Sequence, residues 1–102
     1  MIETIDTVAL GIKSWADQAF PDRTDASMYL KLYGEIAEMI AARGPEVEDE
    51  VADLLILILD FAKRKEIDIE AALARKMKIN RERTWVKTDA GTFQHMKVSD
   101  HE

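Results

Sequence analysis

Apolar residues recur at every third or fourth position along most of the chain, which is the spacing of amphipathic α-helices. In the first segment this spacing is set by Ile5, Val8, Ile12 and Trp15, and it predicts a helix over residues 2–19. The same periodicity predicts three further helices, over residues 25–42, 45–65 and 68–85. No segment alternates between apolar and polar residues as a strand does, so the predicted fold is all-α, an antiparallel bundle of about four helices.

Glycine and proline are scarce, and they lie at the joints between these helices. Gly44 is a natural stop for the second helix, and Pro45 suits the first turn of the third. After the fourth helix the chain reads VKTDAGTFQHMKVSDHE, which is either a short hairpin around Gly91 or disordered. We therefore predict a helical domain over residues 1–86 and a C-terminal tail over residues 87–102.

The third predicted helix contains the run LLILIL at residues 54–59, which makes its centre apolar on nearly all sides. A helix of that kind is normally buried. A bundle of 102 residues has little other surface with which to cover it, so we expect dimerisation to complete the core. Tyr33 on the second helix is also expected to be a core residue.

Composition limits the functions that such a bundle can have. The net charge of −6 argues against a surface that binds nucleic acid, because such surfaces need basic patches. The absence of cysteine excludes thiolate zinc sites and a cysteine nucleophile. The N-terminal residues lack a basic segment before an apolar one, and the longest apolar run is too short to cross a bilayer. We therefore expect a cytoplasmic protein that binds no membrane.

Two pairs of carboxylates lie beside the apolar positions: Glu35 with Glu38 in EIAE, and Glu50 with Asp53 in EVAD. If the chain turns back at Gly44, Glu38 and Glu50 lie six residues from the turn, and the other two lie nine residues from it. Each pair is then matched in height along the two helices. Four carboxylates so close would raise one another's pKa unless a divalent cation binds, and an all-oxygen site suits Mg²⁺ or Mn²⁺. The other interpretation is a solvated acidic face without a ligand.

The segment LYGEIAEMIAA…EDEVADLLILILDFA…DIEAALARKMKINRERTW resembles the MazG-type all-α nucleoside triphosphate pyrophosphohydrolases. The resemblance covers about residues 5–85, and its most specific part is the ordered set ExxE, ExxD and KxxxNxxRxW within residues 33–85. The eleven residues between ExxE and ExxD form a short spacer for this family, which resembles that of a compact single-domain member. The superfamily also includes dimeric dUTPases and phosphoribosyl-ATP pyrophosphohydrolases.

This resemblance implies that Glu35, Glu38, Glu50 and Asp53 bind Mg²⁺, with Mn²⁺ as a substitute. The implied reaction is attack by a metal-activated water between the α- and β-phosphates of a nucleoside triphosphate, which releases a nucleoside monophosphate and pyrophosphate. Glu35 or Glu38 would also be the catalytic base, and the sequence does not choose between them. The resemblance further implies a homodimer or a dimer of dimers, and a role in house-cleaning or in control of the dNTP pool.

Substrate-binding residues follow from the same resemblance. Lys76, Asn80 and Arg83 fall at i, i+4 and i+7 of the fourth helix, so they share one face that can bind phosphate or sugar. The alternative for the two basic residues is an ordinary solvated face. Trp15 and Trp85 either stack on a nucleobase or belong to the core, and we take Trp15 as a candidate substrate contact.

Two other functions remain open from the sequence. The first is a non-catalytic helical interaction module whose acids are only solvated. The second is a hydrolase of the same superfamily with a narrower substrate, either dUTP or phosphoribosyl-ATP. Chain length favours the MazG-like branch, because dUTPases of this superfamily typically carry additional helices.

Overall fold

Four helices and a small hairpin make up the computed structural model, which describes residues 3–96. In chain order these elements are α1 (Ile5–Ala19), α2 (Asp25–Ala41), α3 (Glu46–Arg64), α4 (Ile69–Glu82), β1 (Trp85–Lys87) and β2 (Phe93–His95). The predicted all-α fold is confirmed, and the helix boundaries agree with the predicted ones to within three residues. Residues 97–102 of the predicted tail lie outside the described residues.

The chain divides into two compact units after Glu70. The first unit contains α1, α2, α3 and the first two residues of α4, and the second contains the remainder of α4 and the hairpin. Among the residues that the structure describes, no helix is both long enough and apolar enough to cross a bilayer. The proposed division into a helical domain over 1–86 and a tail over 87–102 stays a prediction.

Side-chain caps fix where α1 and α2 begin. At α1 the hydroxyl of Thr4 accepts a hydrogen bond from Thr7 N at 3.1 Å, and Glu70 Oε1 accepts one from Ile5 N at 2.8 Å. At α2, Thr24 and Ser27 form a reciprocal capping box. These acceptors satisfy amide groups that a helix leaves unpaired in its first turn.

The turn between α2 and α3 sets the relative register of the two helices. Gly44 has φ of +57°, a left-handed conformation that favours glycine because it has no Cβ. Pro45 follows it as the N-cap residue of α3, one position before the first helical turn in which the sequence places it. The two helices therefore run back along each other from a tight turn.

The core of the first unit lies where α3 packs against both α1 and α2. Three of its buried apolar residues are alanines, and the full set is Ala9, Ala16, Met28, Leu59 and Ala62. Small side chains let the helices approach closely. The core is correspondingly thin, and it covers only one side of α3.

The predicted burial of the LLILIL run is wrong for the single chain. Leu55, Ile56 and Ile58 are 49%, 37% and 43% exposed, and Leu59 is the buried member of the run. Tyr33, expected in the core, is 74% exposed. The reason is geometric: α1 and α2 cover one side of α3, so apolar residues on its other side have no partner in the first unit. An apolar helix centre signals that a surface needs covering and does not say that the same chain covers it.

In the second unit the chain after α4 forms the hairpin that the sequence left as one of two alternatives. Strands β1 and β2 pair antiparallel, with Val86 opposite Gln94. The turn is closed by a hydrogen bond from Gly91 N to the carbonyl oxygen of Thr88 at 3.0 Å, and Gly91 has φ of +85°. Trp85 begins β1, whereas the sequence placed it at the end of the fourth helix.

Candidate active site

Three carboxylates from α2 and α3 converge in the first unit. One oxygen each of Glu35, Glu38 and Glu50 lies within 4.8 Å of the other two, and we call these residues the acid cluster. Glu35 is buried, Glu50 is half-buried and Glu38 is exposed. The convergence predicted from the turn at Gly44 is therefore found for these side chains, because α2 and α3 are antiparallel about that turn.

Asp53, the fourth predicted ligand, lies one turn after Glu50 on α3. It lines the same pocket as Glu35, and its charge is one of those that raise the pKa of Glu50. It does not belong to the group whose oxygens lie within 4.8 Å of one another. The structure thus brings three of the predicted ligands together and holds Asp53 beside them.

The electrostatics of the acid cluster show a surplus of negative charge. Burial raises the pKa of the Glu50 carboxyl, and the charges of Glu38, Asp53 and Glu35 raise it further. Glu35 behaves differently, because Lys31 Nζ lies 3.1 Å from its Oε1 and lowers its pKa. Lys31 is a counterion that the sequence analysis did not single out, although its i, i+4 spacing from Glu35 is a visible signal.

Two oxygens of the cluster are buried without a hydrogen-bond donor. Within residues 3–96, Glu35 Oε2 and Glu50 Oε2 have no hydrogen-bond partner. Leaving such an acceptor unsatisfied is costly, and more so when it carries charge. A divalent cation satisfies oxygens of this kind, and a donor set made only of carboxylate oxygens is the set that Mg²⁺ and Mn²⁺ prefer. The residues therefore fit the metal that the sequence predicts.

A pocket of about 740 Å³ lies next to the acid cluster and reaches both Glu35 and Asp53. Its volume is in the range of small-molecule sites. Trp15 and Phe20 form part of its apolar wall, with their rings edge to face at 5.4 Å. Trp15 is 55% exposed, so it is not a core residue of the first unit, and its indole is an apolar group that a ligand in the pocket can contact.

An ion pair between Arg23 and Asp60 also lines the pocket. Arg23 Nε lies 2.8 Å from Asp60 Oδ2, and the two side chains are only 8% and 5% exposed. Sequence reasoning missed this pair, because the residues are 37 positions apart and only the folded chain brings them together. Asp17 adds a second carboxylate, 2.7 Å from the Arg23 guanidinium.

The candidate substrate residues of the second unit lie on α4 and directly after it. Lys76 and Asn80 lie on α4, and Arg83 is the first residue after the helix ends at Glu82. The backbone carbonyl of Asn80 accepts a hydrogen bond from Trp85 Nε1 at 2.8 Å. Trp85 also packs edge to face on His95. These contacts give Trp85 a place in the second unit, and the substrate role of Lys76, Asn80 and Arg83 stays a prediction.

Fold and site together define a class: a helical protein with a carboxylate site for a divalent cation beside a ligand-sized pocket. No protein-family model matches the chain. Two relatives with named activities match the chain. The dATP/dGTP diphosphohydrolase of cyanophage S-2L is 37% identical to it over 100 residues, which cover 98% of this chain and 95% of the relative. The dATP/dGTP diphosphohydrolase of Salmonella phage PMBT28 is 45% identical over 93 residues, which cover 91% of this chain. The chain spans only 32% of that second relative.

A solved structure agrees with these relatives. The cyanophage S-2L MazG-like pyrophosphohydrolase, bound to dGDP and three catalytic Mn²⁺ ions per active site, matches with a TM-score of 0.84 and 36% identity. The match covers 95% of this chain and 97% of that one. The chain therefore belongs to the MazG-like family of nucleotide pyrophosphohydrolases. The family predicted from the ExxE and ExxD motifs is confirmed. The prediction of an enzyme is confirmed with it, in preference to the non-catalytic interaction module.

Proposed function

We propose that this protein is a Mg²⁺- or Mn²⁺-dependent hydrolase that cleaves deoxynucleoside triphosphates between the α- and β-phosphates. The products would be a deoxynucleoside monophosphate and pyrophosphate. The observation that carries the proposal is the acid cluster, whose oxygens lie within 4.8 Å of one another beside the pocket. A triphosphate would otherwise be repelled by these carboxylates and by a chain of net charge −6.

Glu35, Glu38 and Glu50 would hold the metal, with Asp53 as the fourth predicted ligand. A bound divalent cation supplies a Lewis acid for phosphate oxygens and lowers the pKa of a water molecule. In the reaction the water oxygen bonds to the α-phosphorus. The bond between the α-phosphorus and the bridging oxygen breaks, and pyrophosphate leaves with that electron pair. The water's proton passes to Glu38 or Glu35. Lys31 already binds Glu35, which leaves Glu38 as the better placed acceptor.

We propose dATP and dGTP as substrates, in place of dUTP or phosphoribosyl-ATP. The named activity of the two phage relatives supports this choice, and so does the dGDP in the cyanophage structure. Trp15 would stack on the base within the pocket. Lys76, Asn80 and Arg83 would contact phosphate or sugar. An enzyme of this kind would act in the cytoplasm on the dNTP pool, either to adjust it or to remove unwanted nucleotides.

We further propose a homodimer or a dimer of dimers. The exposed apolar side chains of α2 support this assembly, since Leu30, Tyr33 and Ile40 are each more than 70% exposed. Together with Leu55 and Ile58 on α3 they leave more apolar surface open than one isolated domain usually tolerates. Sedimentation or light scattering of the purified protein would test this part of the proposal.

The central experiment is a screen of NTPs and dNTPs with Mg²⁺ and with Mn²⁺, in which the products are separated chromatographically. We expect dAMP or dGMP with pyrophosphate from the wild type, and at least a hundredfold lower turnover from Glu38→Gln and Asp53→Asn. Glu48→Gln is the matched control, because Glu48 is an exposed carboxylate of α3 outside the acid cluster. No turnover of any triphosphate by the wild type, or diphosphate plus phosphate as products, would overturn the proposal.

A further inference from the structure

The guanidinium of Arg23 has no free donor, because all five of its N–H groups are used. Nε binds Asp60 Oδ2 at 2.8 Å, and the Nη2 nitrogen binds Asp60 Oδ1 at 2.9 Å and Asp17 Oδ1 at 2.7 Å. The Nη1 nitrogen donates to the carbonyl oxygens of Ala16 and Phe20, both at 3.2 Å. Arginine has five N–H donors and no acceptor. Arg23 therefore stabilises this part of the pocket wall and has no N–H donor available for a ligand.

Asp60, in contrast, can accept further hydrogen bonds. Each oxygen of an ionised carboxylate can accept about two hydrogen bonds, and each Asp60 oxygen receives one from Arg23. Asp60 is fixed by this bidentate pair, is 4% exposed, and lines the pocket. In this part of the pocket wall, the pair thus presents rigid hydrogen-bond acceptors to whatever enters.

We propose that Asp60 is a base-binding residue of the pocket, and that it accepts a hydrogen bond from an exocyclic amino or ring N–H group of a purine. This inference rests on the proposed function. Adenine and guanine differ at position 6, where one carries an amino group and the other a carbonyl, so a site that takes both must recognise a feature they share. Both carry N–H donors on their pairing edge: the 6-amino group of adenine, and the 2-amino group and N1–H of guanine. A carboxylate can accept from either, whereas a donor in its place would face the N–H groups of both bases.

The first test compares wild-type turnover of dATP with that of 2′-deoxypurine triphosphate, which lacks the 6-amino group and offers no donor. We expect kcat/KM to fall about 10- to 100-fold with the analogue, because a hydrogen bond to a charged buried acceptor is lost. The change from dGTP to dITP removes the 2-amino group and keeps the N1–H group, so kcat/KM should fall by a smaller factor. Equal turnover of dATP and its analogue would overturn the inference while leaving the proposed function intact. If neither dATP nor dGTP is hydrolysed, the proposed function itself fails.

The second test replaces the acceptor. Asp60→Asn should reduce the preference for dATP over its analogue to about threefold or less, with the fold checked by its melting temperature. Asp49→Asn, an exposed aspartate of the same helix, should keep the wild-type preference. If Asp60→Asn does not fold, the dissociation constants of dAMP and 2′-deoxypurine monophosphate for the wild type decide the question by calorimetry. A difference of tenfold or more supports the role of Asp60, and equal constants overturn it.

Discussion

Lys31 Nζ lies 3.1 Å from Glu35 Oε1, so the most buried carboxylate of the acid cluster has a lysine as its counterion. The two side chains differ greatly in exposure, at 63% for Lys31 and 7% for Glu35. The lysine is therefore free to move away into solvent, while the carboxylate is fixed. In the metal-free protein Lys31 supplies part of the positive charge that a divalent cation would supply.

Lys31→Met is accordingly expected to increase the affinity of the protein for Mn²⁺ by a few-fold. The ammonium repels a cation bound at Glu35, and removing it leaves that carboxylate open to the metal. Calorimetric titration of the metal into nucleotide-free protein measures the change. Lys13→Met is the matched control, because Lys13 forms an i, i+4 pair with Asp17 at 2.7 Å and that pair is not part of the cluster. Unchanged or weaker Mn²⁺ binding by Lys31→Met would show that the lysine does not compete with the metal.

Glu50→Gln should have opposite effects on the metal-free and the metal-bound protein. Burial and then the neighbouring acidic charges raise the pKa of Glu50, so its negative charge opposes folding, and the neutral amide of glutamine removes that cost. We expect the variant to melt at a higher temperature than the wild type without metal. The wild type should gain about 2.7 kcal/mol when Mn²⁺ is present at a hundred times its Kd, and the variant should gain far less.

Differential scanning calorimetry with and without Mn²⁺ measures both parts of this prediction. The control is again Glu48→Gln, which should respond to the metal as the wild type does. An equal metal-induced shift in wild type and Glu50→Gln would remove Glu50 from the metal site.

Arg23→Ala should destabilise the fold by about 3 kcal/mol, because it leaves the carboxylate of Asp60 buried without its partner. The variant also removes two hydrogen bonds to carbonyl oxygens at the end of α1. Urea denaturation gives the change in the free energy of unfolding. For comparison, Lys13→Ala breaks an exposed pair and should cost about 0.5 kcal/mol or less. Equal effects of the two substitutions would mean that the Arg23–Asp60 pair is no more important than a surface salt bridge.

Acid should weaken the fold through Asp17 and Asp25. Lys13 is the main cause of the lowered pKa of Asp17, and Lys65 is the main cause of the lowered pKa of Asp25. A carboxyl whose pKa is lower in the folded state stabilises the protein above its unfolded value of about 3.8, and this stabilisation disappears as the pH falls through the folded value. Urea denaturation between pH 5.5 and pH 2.5 should show the loss.

Asp25→Asn should make stability less dependent on pH over the same range, since one of the carboxyls with a lowered pKa is gone. Asp22→Asn, which changes an exposed aspartate of the α1–α2 loop, serves as the comparison. A variant Asp25→Asn with the full wild-type pH dependence would contradict the assignment.

Most of the helical architecture and the centre of the site could be predicted from the sequence because both depend on local information. The apolar periodicity gives each helix, and Gly44 gives the turn between α2 and α3. Once that turn is known, counting residues outward from it predicts that Glu38 lies beside Glu50. Local patterns suffice here because the acid cluster is built by two consecutive helices.

The parts that could not be predicted depend on the whole fold. Hydrophobicity indicates that Tyr33 and the LLILIL run need a partner surface, but it does not say whether the same chain provides it, and within the first unit it does not. Arg23 and Asp60 carry no local signal at all, because a polar residue in a loop and an acid on a helix usually face water. Their pairing requires α1, the α1–α2 loop and α3 to be in place together.

The turn at Gly44 also determines the order in which the site can assemble during folding. The carboxylates of the acid cluster lie within residues 35–50, so the closure of one helical hairpin brings them together, whereas Arg23 and Asp60 require a loop of 37 positions to close. Contacts of low sequence separation form faster, since less chain entropy is lost in closing them. We therefore expect the acid cluster to form early in folding, and a bound cation to relieve the repulsion between its carboxylates at that step. The contact between Arg23 and Asp60 in the pocket wall is expected to form later.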